Sequence, residues 1–191
     1  MKKIVLASNN AHKVQEIESI LKGIEILTLK EIGFTDEVEE TANNFEGNAL
    51  LKAVTVFNEV ELATLSDDSG LEVMALKGAP GVFSKRYAGT GNSEDNIRKL
   101  LEELKYVKDR SAQFRTVLCF FDGEEEHYFE GVVKGTILHE KRGKGGFGYD
   151  PVFVPEGYDK TFAELGSDIK NTISHRALAI QKFAIFYKTI Q

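Results

Sequence analysis

The first thirty residues read strand, polar loop, helix, strand, and that order commits the chain to a layered α/β fold. Ile4 to Ala7 is a short continuous apolar run, as expected of a strand buried on both faces. Ser8-Asn9-Asn10 is loop chemistry, and a helix is expected from about His12 to Lys22. Val14, Ile17 and Leu21 form its apolar face, with Gly23 placed to end it. Ile24 to Leu29 alternates as a second strand. Further helices are expected over Phe45–Asn58, where Phe45, Ala49, Ala53 and Phe57 recur every four residues, and over Ser93–Lys105, capped by Ser93. A last helix follows Ser174 and buries Ala179, Phe183, Phe186 and Ile190. Between these lie a strand over Leu62–Ser66, ending in Asp67-Asp68-Ser69-Gly70, and three β-rich runs: Phe114–Phe121, Glu126–Val133 and Gly135–His139. Asp122-Gly123 is the hairpin signal between the first two runs. An antiparallel middle inside an α/β frame predicts a mixed sheet flanked by helices.

A chain of 191 residues without an internal repeat is read as one domain spanning 1–191, if with two lobes, and it can bury a sizeable core. No apolar stretch approaches the roughly 20 residues that span a bilayer, so no membrane partner is expected. The start runs directly into a strand pattern without the apolar region of a signal peptide. The single cysteine, Cys119, sits in the apolar run Val117–Phe121, where a buried core thiol is expected. These features together place the chain in the cytoplasm. A net charge of −6 argues against a nucleic-acid polymer as partner, since such binding relies on a broad basic face. A small anion needs only a local cluster of donors.

Three groups of residues carry chemistry. Ser8-Asn9-Asn10-Ala11-His12-Lys13 joins the first strand to the first helix and offers hydroxyl, amide and ammonium donors beside a helix start, as an anion site requires. A plain capped helix, with Ser8 or Asn10 as cap, fits the same segment. Asp67-Asp68 closes a strand, and Glu37, Glu39 and Glu40 crowd the loop before the second long helix. Carboxylates gathered from two loops repel unless a cation joins them, and Mg²⁺ favours such oxygen ligands together with substrate phosphates. A solvated acidic loop is the simpler account of Glu37 and Glu39; for Asp68 a functional role fits better. Asp68-Ser69-Gly70 also matches the short signature of aspartic proteases, which would need a second copy supplied by a homodimer. In the third group, Phe147 stands among glycines in Gly145-Gly146-Phe147-Gly148-Tyr149-Asp150-Pro151 and can stack on a nucleobase. Asp150 can accept from a ring N–H, while Ser174-His175-Arg176 supplies donors suited to a carbonyl on a base. A turn with a core phenylalanine and a capped helix are the alternatives there.

Taken in order, six blocks resemble the inosine triphosphate pyrophosphatase family, which acts on non-standard purine nucleoside triphosphates. They are Ser8-Asn9-Asn10-x-x-Lys13, Asn48-Ala49-x-x-Lys52-Ala53, Asp67-Asp68-Ser69-Gly70-Leu71, Gly78-Ala79-Pro80-Gly81, Gly145 to Pro151, and Ser174-His175-Arg176-Ala177. The resemblance spans essentially the whole chain. It implies an elongated mixed sheet, two lobes around a deep substrate cleft, a homodimer, dependence on Mg²⁺, and hydrolysis of ITP, dITP or XTP to the monophosphate and pyrophosphate. Carried over by position, Ser8, Asn9, Asn10, Ala11, His12, Lys13 and Lys52 would bind phosphates. Asp68 would act on the attacking water and share the metal with Glu40, and Ser69 would touch the substrate. Phe147, Gly148, Tyr149, Asp150, Lys170, His175 and Arg176 would form the base pocket. Two positions depart from the family pattern. Gly47 stands where many members carry an acid, and Lys85 where a small residue is usual. The Gly-Phe-Gly-Tyr-Asp-Pro block argues against a Maf-like pyrophosphatase. The Asp68 and Glu40 pair argues against a nucleotide sensor that binds without hydrolysis.

Overall fold

A computed structural model describes residues 3–190. Six strands, β1 Ile4–Ala7, β2 Ile26–Thr28, β3 Thr64–Val73, β4 Ser111–Phe121, β5 Glu126–Ile137 and β6 Phe153–Pro155, form one open sheet in the order β2-β1-β3-β4-β5-β6. β1 runs parallel to β2 and to β3, while β5 and β6 are antiparallel, so the sheet is mixed. Among the described residues five α-helices accompany it: α1 Ala11–Ile20, α2 Phe45–Val60, α3 Ser93–Glu103, α4 Phe162–Ile173 and α5 His175–Thr189.

The chain divides into two compact units whose boundaries fall inside β3, β4 and β5 and at the start of α5. The first holds residues 1–68, 116–131 and 176–191. Its strands are covered on both faces, which is why β1 is apolar throughout. Ile4 and Leu6 pack with Leu65, Leu118 and Phe120 against Ile17 of α1 and Ile180 and Phe183 of α5. Val5 and Ala7 point the other way, toward Leu29 and Val56 of α2. Cys119 is fully buried, and burial pushes its thiol up to about 12. The second unit, residues 69–115 and 132–175, packs Leu71, Val73, Phe114, Ile137 and Phe153 against Ile97 and Leu100 of α3 and Phe162 of α4.

Several elements differ from the sequence expectation. β3 does not stop at Ser66 but continues to Val73, because ion pairs absorb the charges of Asp67 and Asp68. The two β-rich runs around Lys134 are one strand. Gly135 sits inside it because a Cβ there would stand 2.3 Å from the Val154 carbonyl oxygen. The cap of α3 is Asn92 rather than Ser93; its side chain accepts from the Glu94 and Asp95 N–H groups at 2.8 and 3.4 Å. β6 and α4 carry no expectation from the sequence. α4 opens with a Thr161/Glu164 capping box and contains a kink at Gly166, whose φ is +79°. Lys85 contributes its carbonyl oxygen to Asn96 Nδ2 at 3.0 Å.

Candidate active site

Asp67 and Asp68 are neighbours in β3, so their side chains leave opposite faces of the sheet, and each meets a different set of partners. Asp67, 1% exposed, accepts from Arg176 Nε at 2.8 Å and pairs with the Lys13 ammonium. Arg176, equally buried, also donates from Nη1 to Glu16 of α1. Burial alone would raise the Asp67 pKa. Arg176 and Lys13 outweigh it and hold the carboxyl well below the usual carboxylate range. Lys13 is pushed below the usual lysine range by burial, with Asp67 opposing and Lys52 and Arg176 adding to the effect.

Asp68 faces α2. Lys52 Nζ donates to Asp68 Oδ1 at 3.0 Å, to Glu40 Oε1 at 3.1 Å and to the Asp67 carbonyl oxygen at 2.7 Å. One ammonium thus joins the two carboxylates that the sequence assigned to a metal. Burial opposes the charge on Lys52, but Asp68, Glu40 and Asp67 together raise its pKa. Asp68 is itself raised by burial, with Glu40 adding and Lys52 and Lys13 opposing. Its Oδ2 is buried and has no hydrogen-bond partner among the described residues. The donor set fits Mg²⁺: two carboxylates already share a cation, and an unspent buried carboxylate oxygen stands beside them. Among the described residues no cluster of three or more His, Cys, Asp or Glu side chains that could hold a metal ion is found.

Before α1, Asn10 is the cap, and its Oδ1 accepts from the His12 and Lys13 N–H groups at 3.0 and 3.4 Å. Ser8 Oγ in turn accepts the Asn10 N–H at 3.3 Å. Asn9, Ala11 and His12 are exposed, and Ala11 offers a ligand only its backbone. The plain-cap account of this loop therefore describes its hydrogen bonds, while Lys13 is the loop's link to the aspartates.

The second unit gathers Phe147, Asp150, Lys170 and His175. Asp150 Oδ2 accepts from Lys170 Nζ at 2.6 Å and from the Phe147 N–H at 2.9 Å, with both charged side chains buried. Lys170 Nζ also lies 4.5 Å from the Phe147 ring centroid. Gly146 is required here: its φ is +73°, and a Cβ would stand 2.1 Å from Asp150 Oδ2. The His175 ring stacks on Phe114 at 4.7 Å and 11°. Gly148, with φ +60°, serves the same turn, and Ser69 follows Asp68 half-buried.

Two side chains that the family resemblance carries into the base pocket have protein partners. The Tyr149 side chain packs in the core and donates its hydroxyl to the Ser84 carbonyl oxygen at 3.0 Å, so only its backbone is left for a ligand. Arg176 donates from Nε to Asp67 and from Nη1 to Glu16, so these two donors serve the Asp67 network. Gly70, read with Asp68-Ser69 as a protease signature, has a packing reason instead. A Cβ there would stand 2.2 Å from the Gly81 carbonyl oxygen. The sequence reading missed Glu16 and Phe114 as partners of site residues and grouped Asp67 with the metal carboxylates, whereas it pairs with Arg176 and Lys13. Only Asp67 carried a usable signal, the two-residue period that sets it opposite Asp68.

A model of the Ham1 family matches residues 4–186. The chain belongs to the Ham1 family. The dITP/XTP pyrophosphatase of Porphyromonas gingivalis is 52% identical over 189 residues, covering 97% of each chain. That of Bacillus subtilis is 47% identical over 190 residues, covering 96% of each. Among solved structures, the Ham1 protein of Staphylococcus aureus superposes with a TM-score of 0.91 at 41% identity over 100% of both chains. A HAM1 protein from Coxiella burnetii gives 0.91 at 39% identity over 99% of this chain and 100% of its own. The mixed, helix-flanked sheet is thus the fold of Ham1 proteins.

Proposed function

We propose that this chain hydrolyses ITP, dITP and XTP to the nucleoside monophosphate and pyrophosphate, with Mg²⁺ as cofactor. The observation that carries the reading is Asp68: a buried carboxylate with one oxygen on Lys52 and the other unspent, beside Glu40. Relatives sharing about half of this sequence bear the name dITP/XTP pyrophosphatase, which supports the substrate class.

Water attacks the α-phosphorus and a new P–O bond forms there. The bond from the α-phosphorus to the bridging oxygen breaks, and pyrophosphate leaves with that electron pair. Asp68 orients the water and takes its proton, a task suited to a carboxylate whose pKa is raised by burial. Lys13 holds the phosphate oxygens and Lys52 turns one N–H from its three protein acceptors toward them, with Ser8, Asn9 and Asn10 supplying polar contacts. Glu40 and Asp68 would hold Mg²⁺, which when bound supplies charge neutralisation for the departing pyrophosphate. Phe147 stacks on the base. His175, its ring fixed by Phe114, donates to the 6-carbonyl of hypoxanthine or xanthine. Adenine presents an amino group there, and two opposed donors leave both unpaired, which discriminates strongly; guanine shares the 6-carbonyl, so its rejection falls to its 2-amino group.

The homodimer and the cytoplasmic location belong to the same reading; sedimentation velocity tests the first. No helix among the described residues is long and apolar enough to cross a membrane. The experiment for the chemistry is Asp68→Asn, followed by ITP turnover and by binding of a non-hydrolysable analogue. Turnover is expected to be lost with binding retained, and full turnover in that variant removes Asp68 from the mechanism.

A further inference from the structure

Asn48 lies near the start of α2 and is fully buried. Its Oδ1 accepts the Ala42 backbone N–H at 2.9 Å. Ala42 follows Glu40 by two residues, and one turn beyond Asn48 the Lys52 ammonium donates to Glu40 Oε1 at 3.1 Å. Residues four apart share a helix face, so the segment from Glu40 to Ala42 is tied to one face of α2 at two points. Its fit depends on Gly47. A Cβ at position 47 would stand 2.6 Å from the Ala42 Cβ and 2.8 Å from Asn44 Oδ1, the oxygen that caps α2 by accepting the Gly47 N–H at 2.7 Å.

The other half of the Asn48 amide is unspent. Nδ2 is buried without a hydrogen-bond partner among the described residues. A buried donor left without an acceptor costs about 1–3 kcal/mol. Asparagine is also a poorer helix former than alanine. Local stability therefore does not account for this residue, whereas the hold it exerts on the Glu40 segment does.

We propose that Asn48 is a positioning residue: by fixing the backbone two residues from Glu40, it sets the Glu40 carboxylate beside Asp68 and Lys52 in the geometry that holds the divalent cation. The inference rests on the reading that Glu40 and Asp68 bind that cation. It extends that reading to a residue with no direct part in ligation, and second-layer contacts of this kind commonly tune metal affinity.

The test is Mn²⁺ binding, followed by electron paramagnetic resonance, in wild type, Asn48→Leu, Glu40→Gln and the double variant. Urea unfolding reports stability alongside, and the Mg²⁺ dependence of ITP hydrolysis gives a second readout. Asn48→Leu is expected to weaken metal binding by about 10–100-fold. In the Glu40→Gln background the same change is expected to add little, because residues acting through one another are not additive. Unchanged affinity in folded Asn48→Leu, or an equal loss in both backgrounds, overturns the inference. Should Asn48→Leu fail to fold, Asn48→Asp keeps the acceptor for the Ala42 N–H and is expected to bind Mn²⁺ close to wild type. A loss as large as that of Glu40→Gln then refutes the role. Wild-type protein that binds no Mn²⁺ and hydrolyses ITP in EDTA removes the metal reading itself. Wild-type binding with no effect of Asn48→Leu removes only the inference.

Discussion

Replacing Arg176 with alanine removes the countercharge of two carboxylates at once. The Arg176 side chain is 1% exposed and the Asp67 side chain 0%, so solvent does not screen the pair. In the variant Asp67 keeps Lys13, whose own charge is disfavoured by burial, and Glu16 loses its Nη1 partner. Removing one member of a buried ion pair costs about 3–5 kcal/mol, because the other is left charged and dry. For a chain of this length each kcal/mol lowers Tm by roughly 2–4 °C, so a drop of about 6–20 °C is expected. Urea unfolding followed by circular dichroism measures the change directly. The double variant Arg176→Met with Asp67→Asn supplies the control: it removes the charge together with its partner, and it should be less destabilised than the two single changes summed. Stability of Arg176→Ala within about 0.5 kcal/mol of wild type, the range of ordinary surface changes, would refute this account of the Asp67 network.

Asp68→Asn is expected to lower kcat by about 10²–10⁴-fold, the range for loss of a positioned acid–base group, with stability little altered; steady-state kinetics check this. Gly70→Ala places a methyl group 2.2 Å from the Gly81 carbonyl oxygen, which is backbone and cannot swing aside. A loss of about 1–3 kcal/mol in urea unfolding is expected, as for other overpacked sites.

The sequence and the structure agree where local pattern decides. β1, α1, α2 and α5 are legible because apolar periodicity and cap chemistry act over a few residues. β3 is only half legible: consecutive aspartates read as the end of a strand, and the partners that keep them inside it come from α1, α2 and α5. The Arg176–Asp67 contact joins residues 109 apart, and no local signal announces it. α4 was hidden by Gly166 in its interior, although Thr161-x-x-Glu164 was there to be read as a capping box. The candidate site was legible as residue types at family spacing. What the motifs do not show is which protein partners each side chain has. Tyr149 and Arg176 stand in the same blocks as Phe147 and His175, yet the Tyr149 side chain is core and Arg176 is an electrostatic anchor.

The central claim is met most directly by incubating the purified protein with Mg²⁺ and, separately, ITP, XTP, GTP, ATP and dTTP, and identifying both products of each. Monophosphate and pyrophosphate from ITP and XTP, with little from the other three, is the predicted result. Diphosphate with orthophosphate, or no turnover of ITP and XTP at all, contradicts it.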